Sequence, residues 1–148
     1  MLKTHGPTGL FFLKDIVRKK RKYQNMTQFP NRKALGDWGE RVAAEYLRNQ
    51  GYHIIATNYR TGFGEIDLIC KHEEIWCFVE VKTRRNLRYG FGYQGVTHVK
   101  QQRMILTAQS YLNQAGLCEV PVRFDVVSID WISDTEYRIE LIKNAIGF

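Results

Sequence analysis

Two short segments gather ionisable groups among β-forming residues: Glu65-Ile66-Asp67-Leu68-Ile69 and Phe78-Val79-Glu80-Val81-Lys82. Side chains alternate along a strand, so Glu65, Asp67 and Ile69 share one face, and so do Trp76, Phe78, Glu80 and Lys82. The face that carries Glu80 and Lys82 also carries two large aromatic rings, so it is not simply a solvent face. Taken as a hairpin with Glu73-Glu74 at its tip, the segments set Asp67 opposite Glu80 and Glu65 opposite Lys82. Opposed residues on one face have Cβ atoms ~4.5–5.5 Å apart. Two carboxylates that close repel each other, and in a partly buried site one pKa rises unless a cation intervenes. A hard divalent ion, Mg²⁺ or Mn²⁺, with oxygen ligands from Asp67 and Glu80 resolves the conflict. The carbonyl of Val81 could supply a further ligand, Lys82 points at the same spot one pleat on, and Glu40 is a candidate outer ligand.

An Asp, a Glu and a Lys around a divalent ion suit phosphodiester hydrolysis. The ion polarises the phosphate and binds the attacking water, while the ammonium stabilises developing charge or orients that water. The same residues also admit a plainer arrangement, in which Glu65 and Lys82 form a cross-strand ion pair and Asp67 faces water. The choice depends on register, because a one-residue slip sends these groups to opposite faces.

Regular elements must hold this hairpin. Leu35, Trp38, Val42, Ala43, Tyr46 and Leu47 recur at three- and four-residue steps, which predicts a helix from about Leu35 to Gln50, capped by Asn31 or Asp37 and ended by Gly51. Glu40 lies on the flank of its apolar stripe. Strands follow over Tyr52–Arg60, Glu65–Lys71 and Ile75–Thr83, with a turn at Thr61-Gly62-Phe63-Gly64. The run Ile75-Trp76-Cys77-Phe78-Val79 is apolar on both faces, as expected of a central, covered strand. A second helix spans about Thr97 to Ala115, with Met104, Ala108, Tyr111, Leu112 and Ala115 on one face, and strands over Val122–Asp130 and Glu136–Lys143 complete the chain. The order α-β-β-β-α-β-β implies an α/β fold with a mixed sheet and helices packed on it.

Taken together, Gly64-Glu65-Ile66-Asp67-Leu68-Ile69 and Phe78-Val79-Glu80-Val81-Lys82-Thr83-Arg84 resemble the YraN-like family of small bacterial proteins. Gly36…Gly39-Glu40…Ala43…Tyr46-Leu47, Gly51-Tyr52, Asn58-Tyr59-Arg60, Phe91-Gly92, Lys100 and Arg123-Phe124-Asp125-Val126-Val127 extend the likeness across about residues 34–130. That family belongs to the PD-(D/E)XK, or restriction-endonuclease-like, superfamily and is similar to Holliday junction resolvases. The resemblance implies a restriction-endonuclease-like α-β-β-β-α-β core with an additional C-terminal strand. It further implies Asp67 and Glu80 as metal ligands, Lys82 as the catalytic lysine and Glu40 as the helix acid that some members use. Ile66-Asp67 stands where the superfamily has Pro-Asp; proline donates no ligand there. DNA is the implied substrate, with RNA open, and a homodimer is implied because junction resolvases act as symmetric pairs. A catalytically inactive nucleic-acid-binding protein on the same fold is the alternative.

The charge is unevenly spread. The chain has 148 residues, 22 Lys+Arg and 15 Asp+Glu, for a net +7. Residues 1–33 carry nine of the bases and one acid, Asp15, whereas the rest carries 13 bases and 14 acids. The reading is a flexible basic arm over 1–33 and a near-neutral nuclease-like domain over 34–148. The arm's run Arg18-Lys19-Lys20-Arg21-Lys22 cannot enter a core and suits a solvated tail or contact with phosphates. Leu10-Phe11-Phe12-Leu13 and Ile16-Val17 could form a short amphipathic helix on a membrane surface. Met26 offers an alternative start.

A loop over Arg84–Gly95 follows Lys82 and is rich in Arg, Gly and aromatic residues. Arg84, Arg85 and Arg88 could bind phosphates there, and Lys100 and Arg103 share a helix face that suits either solvent or a phosphate clamp. No run of 18 apolar residues suggests a membrane span. The three cysteines are odd in number and fall in apolar segments, which suits reduced thiols in a cytoplasmic protein. His and Cys spacings do not suit zinc, and neither Gly-Phe-Gly segment carries a nucleotide-binding fingerprint.

Overall fold

Asn31, in extended conformation, accepts the Ala34 amide on its side chain at 2.9 Å and starts helix α1, Arg32–Asn49. Of the two candidate caps it is Asn31 that acts, because Asp37 lies inside the helix and pairs with Lys33 four residues back. Gly51, at φ +88°, ends α1. It lets the Tyr52 amide return to the Leu47 carbonyl at 3.0 Å, a conformation that costs glycine little. The structure, a computed structural model, describes residues 8–12 as backbone, and residues 29, 31–85 and 96–146 in full.

The strands are β1 (Thr8–Phe12), β2 (His53–Arg60), β3 (Glu65–His72), β4 (Ile75–Arg84), β5 (Val122–Ser133) and β6 (Glu136–Ile142), and the second helix is α2 (His98–Gln114). They form one six-stranded sheet in the order β1-β6-β5-β4-β3-β2. β4 and β5 run parallel and every other neighbouring pair is antiparallel, so the sheet is mixed as expected. The parallel step requires a crossover, and α2 lies in it.

Each face of the sheet carries one helix. Leu35, Trp38, Val42, Ala43 and Leu47 of α1 pack on Leu68, Cys70, Cys77, Val79, Val127 and Ile129. Met104 and Ala108 of α2 pack on Ile66, Ile69, Phe78, Phe124 and Val126 on the other side. β4 therefore has covers on both faces, and Cys77 through Glu80 are all buried. The antiparallel β3–β4 ladder runs from His72↔Ile75 to Leu68↔Val79, the register that the sequence pattern requires.

The N-terminal region differs from the sequence reading. Thr8–Phe12 pair antiparallel with Glu136–Glu140 and make an edge strand, so Leu10–Phe12, read as part of a potential helix in the arm, are extended instead. The physical reason is that β6 would otherwise present an unpaired edge. Phe29, also placed in the arm, is buried, with its ring 5.4 Å from that of Trp38 and 5.9 Å from that of Trp131. The basic run Arg18–Lys22 lies outside the described residues. Among the described residues no helix is long and apolar enough to cross a membrane. Cys70 and Cys77 are buried free thiols, and Cys118 is an exposed one.

One glycine controls how closely α1 approaches β4. A Cβ on Gly39 would lie 1.8 Å from the Thr83 hydroxyl oxygen and 2.9 Å from its Cβ, so only glycine fits there. Gly39→Ala is expected to destabilise the protein by about 1–3 kcal/mol in urea unfolding. Combining it with Thr83→Gly should recover part of that loss; purely additive effects would show that the contact is not what separates the elements.

Candidate metal and phosphate site

The site begins where the β3–β4 ladder stops. Beyond Leu68↔Val79 the next pair in register would be Asp67 with Glu80, and no paired backbone continues there. Instead the Asp67 carboxylate accepts the Val81 amide at 2.7 Å, so a side chain takes the place of a backbone partner. Asp67 is 9% exposed and Glu80 4%, both far below what single carboxylates tolerate without compensation. Burial raises the Asp67 carboxyl to about 7, with the charges of Glu80 and Glu40 adding to the rise and the Val81 hydrogen bond and Lys100 opposing it. Asp67 thus does not face water, and Glu65 does not pair with Lys82: its carboxylate lies 3.1 Å from Arg60 on β2.

Glu80 is held on one side only. Its Oε1 pairs with the Lys100 ammonium from the first turn of α2. Its Oε2 is buried and has no hydrogen-bond partner among the described residues. Lys82, two residues on and on the same face of β4, has its ammonium pKa lowered, chiefly by burial, with Glu80 working the other way. α1 brings Glu40 to this end of the sheet, where the Asn58 side-chain amide donates to its Oε2 at 2.9 Å. Asn58 adopts φ +51° within β2, a left-handed conformation that asparagine tolerates better than most residues. Its role in orienting Glu40 is invisible in periodicity; an Asn inside a strand pattern was the only hint.

The predicted nucleic-acid contacts divide. Lys100 is at the site but is engaged by Glu80, so its ammonium is not simply a solvent-facing phosphate clamp. Arg103 lines a cleft of about 620 Å³ between the β2–β3 turn and α2, shared with Arg60, Thr61, Gly64 and Lys100. Arg85, read as a phosphate contact, is turned back onto the protein. Its guanidinium donates to the Phe29 carbonyl and lies 5.5 Å from the Phe29 ring centroid and 5.7 Å from that of Trp131. Two aromatic faces and a carbonyl hold an arginine more firmly than solvent does. Arg84 ends β4 and has a partner of its own. Arg88 and most of its loop lie outside the described residues.

Among the described residues no group of three or more His, Cys, Asp and Glu stands close enough together to hold a metal ion. Glu40 acts on Asp67 through its charge and accepts from Asn58. What does fit a hard cation is the pair itself: two buried carboxylates whose charges oppose each other, and one buried oxygen without a partner. Val81 meets this pair through its amide, which Asp67 occupies.

A second buried acid, Asp125, has its charge matched within the chain. It is 0% exposed and accepts from Arg123 Nε at 2.8 Å and from the Asn144 amide at 2.9 Å. Arg123 also donates to the Tyr52 hydroxyl at 2.8 Å.

The sequence model of the family described as "Uncharacterised protein family UPF0102" matches residues 39–129, which include Glu40, Asp67, Glu80, Lys82 and Lys100. A UPF0102 protein of Dehalococcoides mccartyi is 46% identical over 117 residues, 79% of this chain and 96% of the relative. Relatives of the same description from Alkaliphilus metalliredigens (45% over 113 residues, 76% of this chain and 97% of the relative) and Symbiobacterium thermophilum (47% over 111 residues, 75% and 94%) are similar to a comparable degree.

The raised Asp67 carboxyl makes stability depend on pH. A carboxyl whose folded value exceeds its unfolded one binds its proton more tightly when folded, so the fold weakens as pH rises from about 4 to about 7 and is level above. In EDTA, Asp67→Asn should therefore be more stable than the parent at about pH 8, with the difference shrinking by on the order of 2 kcal/mol at about pH 5. Equal stabilities at both pH values in urea titrations would show that Asp67 ionises freely.

Proposed function

The chain belongs to the UPF0102 family, and from its site we propose that it is a metal-dependent endonuclease that hydrolyses phosphodiester bonds of DNA. The observation that carries the reading is the half-satisfied Glu80 beside a buried, mutually repelling Asp67, with Lys82 on the same face. Structural charges are usually matched, as Asp125 is; a buried acid left one partner short is a feature of sites that take up something else. Asp67 and Glu80 would hold Mg²⁺ or Mn²⁺, with the Val81 carbonyl a further candidate ligand. When bound, the ion supplies positive charge to a phosphate and acidifies a water.

The chain's own groups supply the remainder. Val81 holds Asp67 in place through its amide, so the carboxylate does not need to be ordered when substrate arrives. Lys82, with its pKa lowered by burial, can place its ammonium against a developing negative charge at the phosphate. Glu40, oriented by Asn58, stands as an outer carboxylate. Lys100 pairs with one oxygen of Glu80, and its ammonium would be available to a phosphate if a cation were held by that carboxylate instead.

The Lys100–Glu80 pair also favours a second reading, a nucleic-acid-binding protein without catalysis, in which Lys100 permanently fills the cation's place. Calorimetric titration with Mn²⁺ separates the two. The endonuclease reading expects binding that Glu80→Gln abolishes, together with Mn²⁺-dependent cleavage in a screen over single-stranded, duplex and branched DNA. Asp67→Ala, Glu80→Ala and Lys82→Ala should each lower that cleavage at least ~100-fold. EDTA should stop it. DNA binding without ion binding or cleavage would establish the second reading.

A further inference from the structure

The cleft beside Lys100 has features that the hydrolytic residues do not use. It lies between the β2–β3 turn and the first turns of α2 and, at about 620 Å³, is large enough for a nucleotide. Three cations line it, Arg60, Lys100 and Arg103, against a single carboxylate, Glu65. Arg60 is paired with Glu65 and Lys100 with Glu80. The Arg103 guanidinium has no ion-pair partner among the described residues, so the cleft keeps an uncommitted positive charge.

The turn on its rim is rigid and presents a ring to solvent. The Thr61 amide donates to the Gly64 carbonyl at 2.8 Å, and the Phe63 amide to the Thr61 hydroxyl at 3.1 Å. The turn is docked on α2: the Thr61 and Thr107 hydroxyls lie 3.4 Å apart, and a Cβ on Gly64 would come within 3.3 Å of Arg103 Cβ. Phe63 is 53% exposed. An exposed ring on a hydrogen-bonded turn whose next residue, Gly64, lines the cleft together with Arg103 suits the face of an unpaired base joined to a phosphate. A duplex keeps its base faces stacked, so such a ring finds a base only where a strand is open.

We propose that this cleft is a single-strand DNA subsite, in which Arg103 binds a backbone phosphate and Phe63 stacks on an unpaired base of the same strand. The inference rests on the proposal that DNA is the substrate, and it narrows that substrate to DNA with an unpaired stretch entering beside the Lys100 end of the site. Arg60 and Lys100 add positive field along the path.

Fluorescence anisotropy of the full chain in EDTA tests this, with a short labelled single strand and the blunt duplex of the same sequence as probes. Phe63→Ala should weaken single-strand binding about tenfold and leave duplex binding unchanged. Arg103→Gln should weaken binding of both probes and reduce the salt slope by about one. Phe63 is exposed and its turn is held by Thr61 and Gly64, so the variant should unfold at the same urea midpoint as the parent. No single-strand binding by the parent, an unchanged affinity for Phe63→Ala, or an equal loss on both probes would overturn the proposal. Because no divalent ion is present, absence of cleavage in the Mn²⁺ screen would refute the endonuclease reading without touching this result.

Discussion

Two carboxylates are buried together at the open end of the β3–β4 hairpin, and the surrounding structure is organised by the need to tolerate them. Neither belongs in an apolar environment, and their mutual repulsion adds to the penalty of burial. Asp67 is partly compensated by the Val81 amide, which is available because the backbone ladder has ended at Leu68↔Val79. Glu80 is compensated on one oxygen by a lysine that arrives from a different element. The apolar layers on both faces of β4 supply the stability that lets the fold sustain such a tension.

The contrast with Asp125 gives this tension a meaning. Asp125 is more deeply buried than Asp67, yet its oxygens are met by a guanidinium and a backbone amide, and the guanidinium is itself anchored to Tyr52. That network joins β5 to the start of β2 and the residues after β6, and its charges are matched within the chain. Glu80 is left with a buried oxygen that nothing in the described chain meets. Unsatisfied buried oxygens weaken a fold, so this end of the sheet carries a cost that the Asp125 network does not.

Much of this arrangement was legible in the sequence. The antiparallel register read for the two strands is the one formed from His72↔Ile75 to Leu68↔Val79, but alternation fails beside Asp67, where Ile66 and Ile69 pack on one side and Leu68 on the other. Helix faces were equally readable, because Trp38, Val42 and Leu47 or Met104 and Ala108 recur with helical period. What escaped were contacts between elements remote in sequence. No local pattern says that Lys100 reaches Glu80, that Asn58 turns its amide to Glu40, or that Thr8–Phe12 completes the sheet edge beside β6. Arg85 shows the same limit: no local pattern says that its guanidinium lies over the rings of Phe29 and Trp131.

These remote contacts explain how Lys82 can be positioned at a strand end. Residues Val81, Thr83 and Arg85 alternate with it and lie on the α1 side of β4. Val81 packs against the α1-side core, Thr83 fits against Gly39 of α1, and Arg85 is held by Phe29 and Trp131. Each contact fixes the backbone on one face, and by the alternation of the strand each fixes the direction of the residue between. Lys82 is therefore oriented toward the α2 side, on the face of β4 that also carries Glu80. A strand end would ordinarily fray. In this strand the apolar and cationic contacts of one face hold the backbone that carries Glu80 and Lys82 on the other.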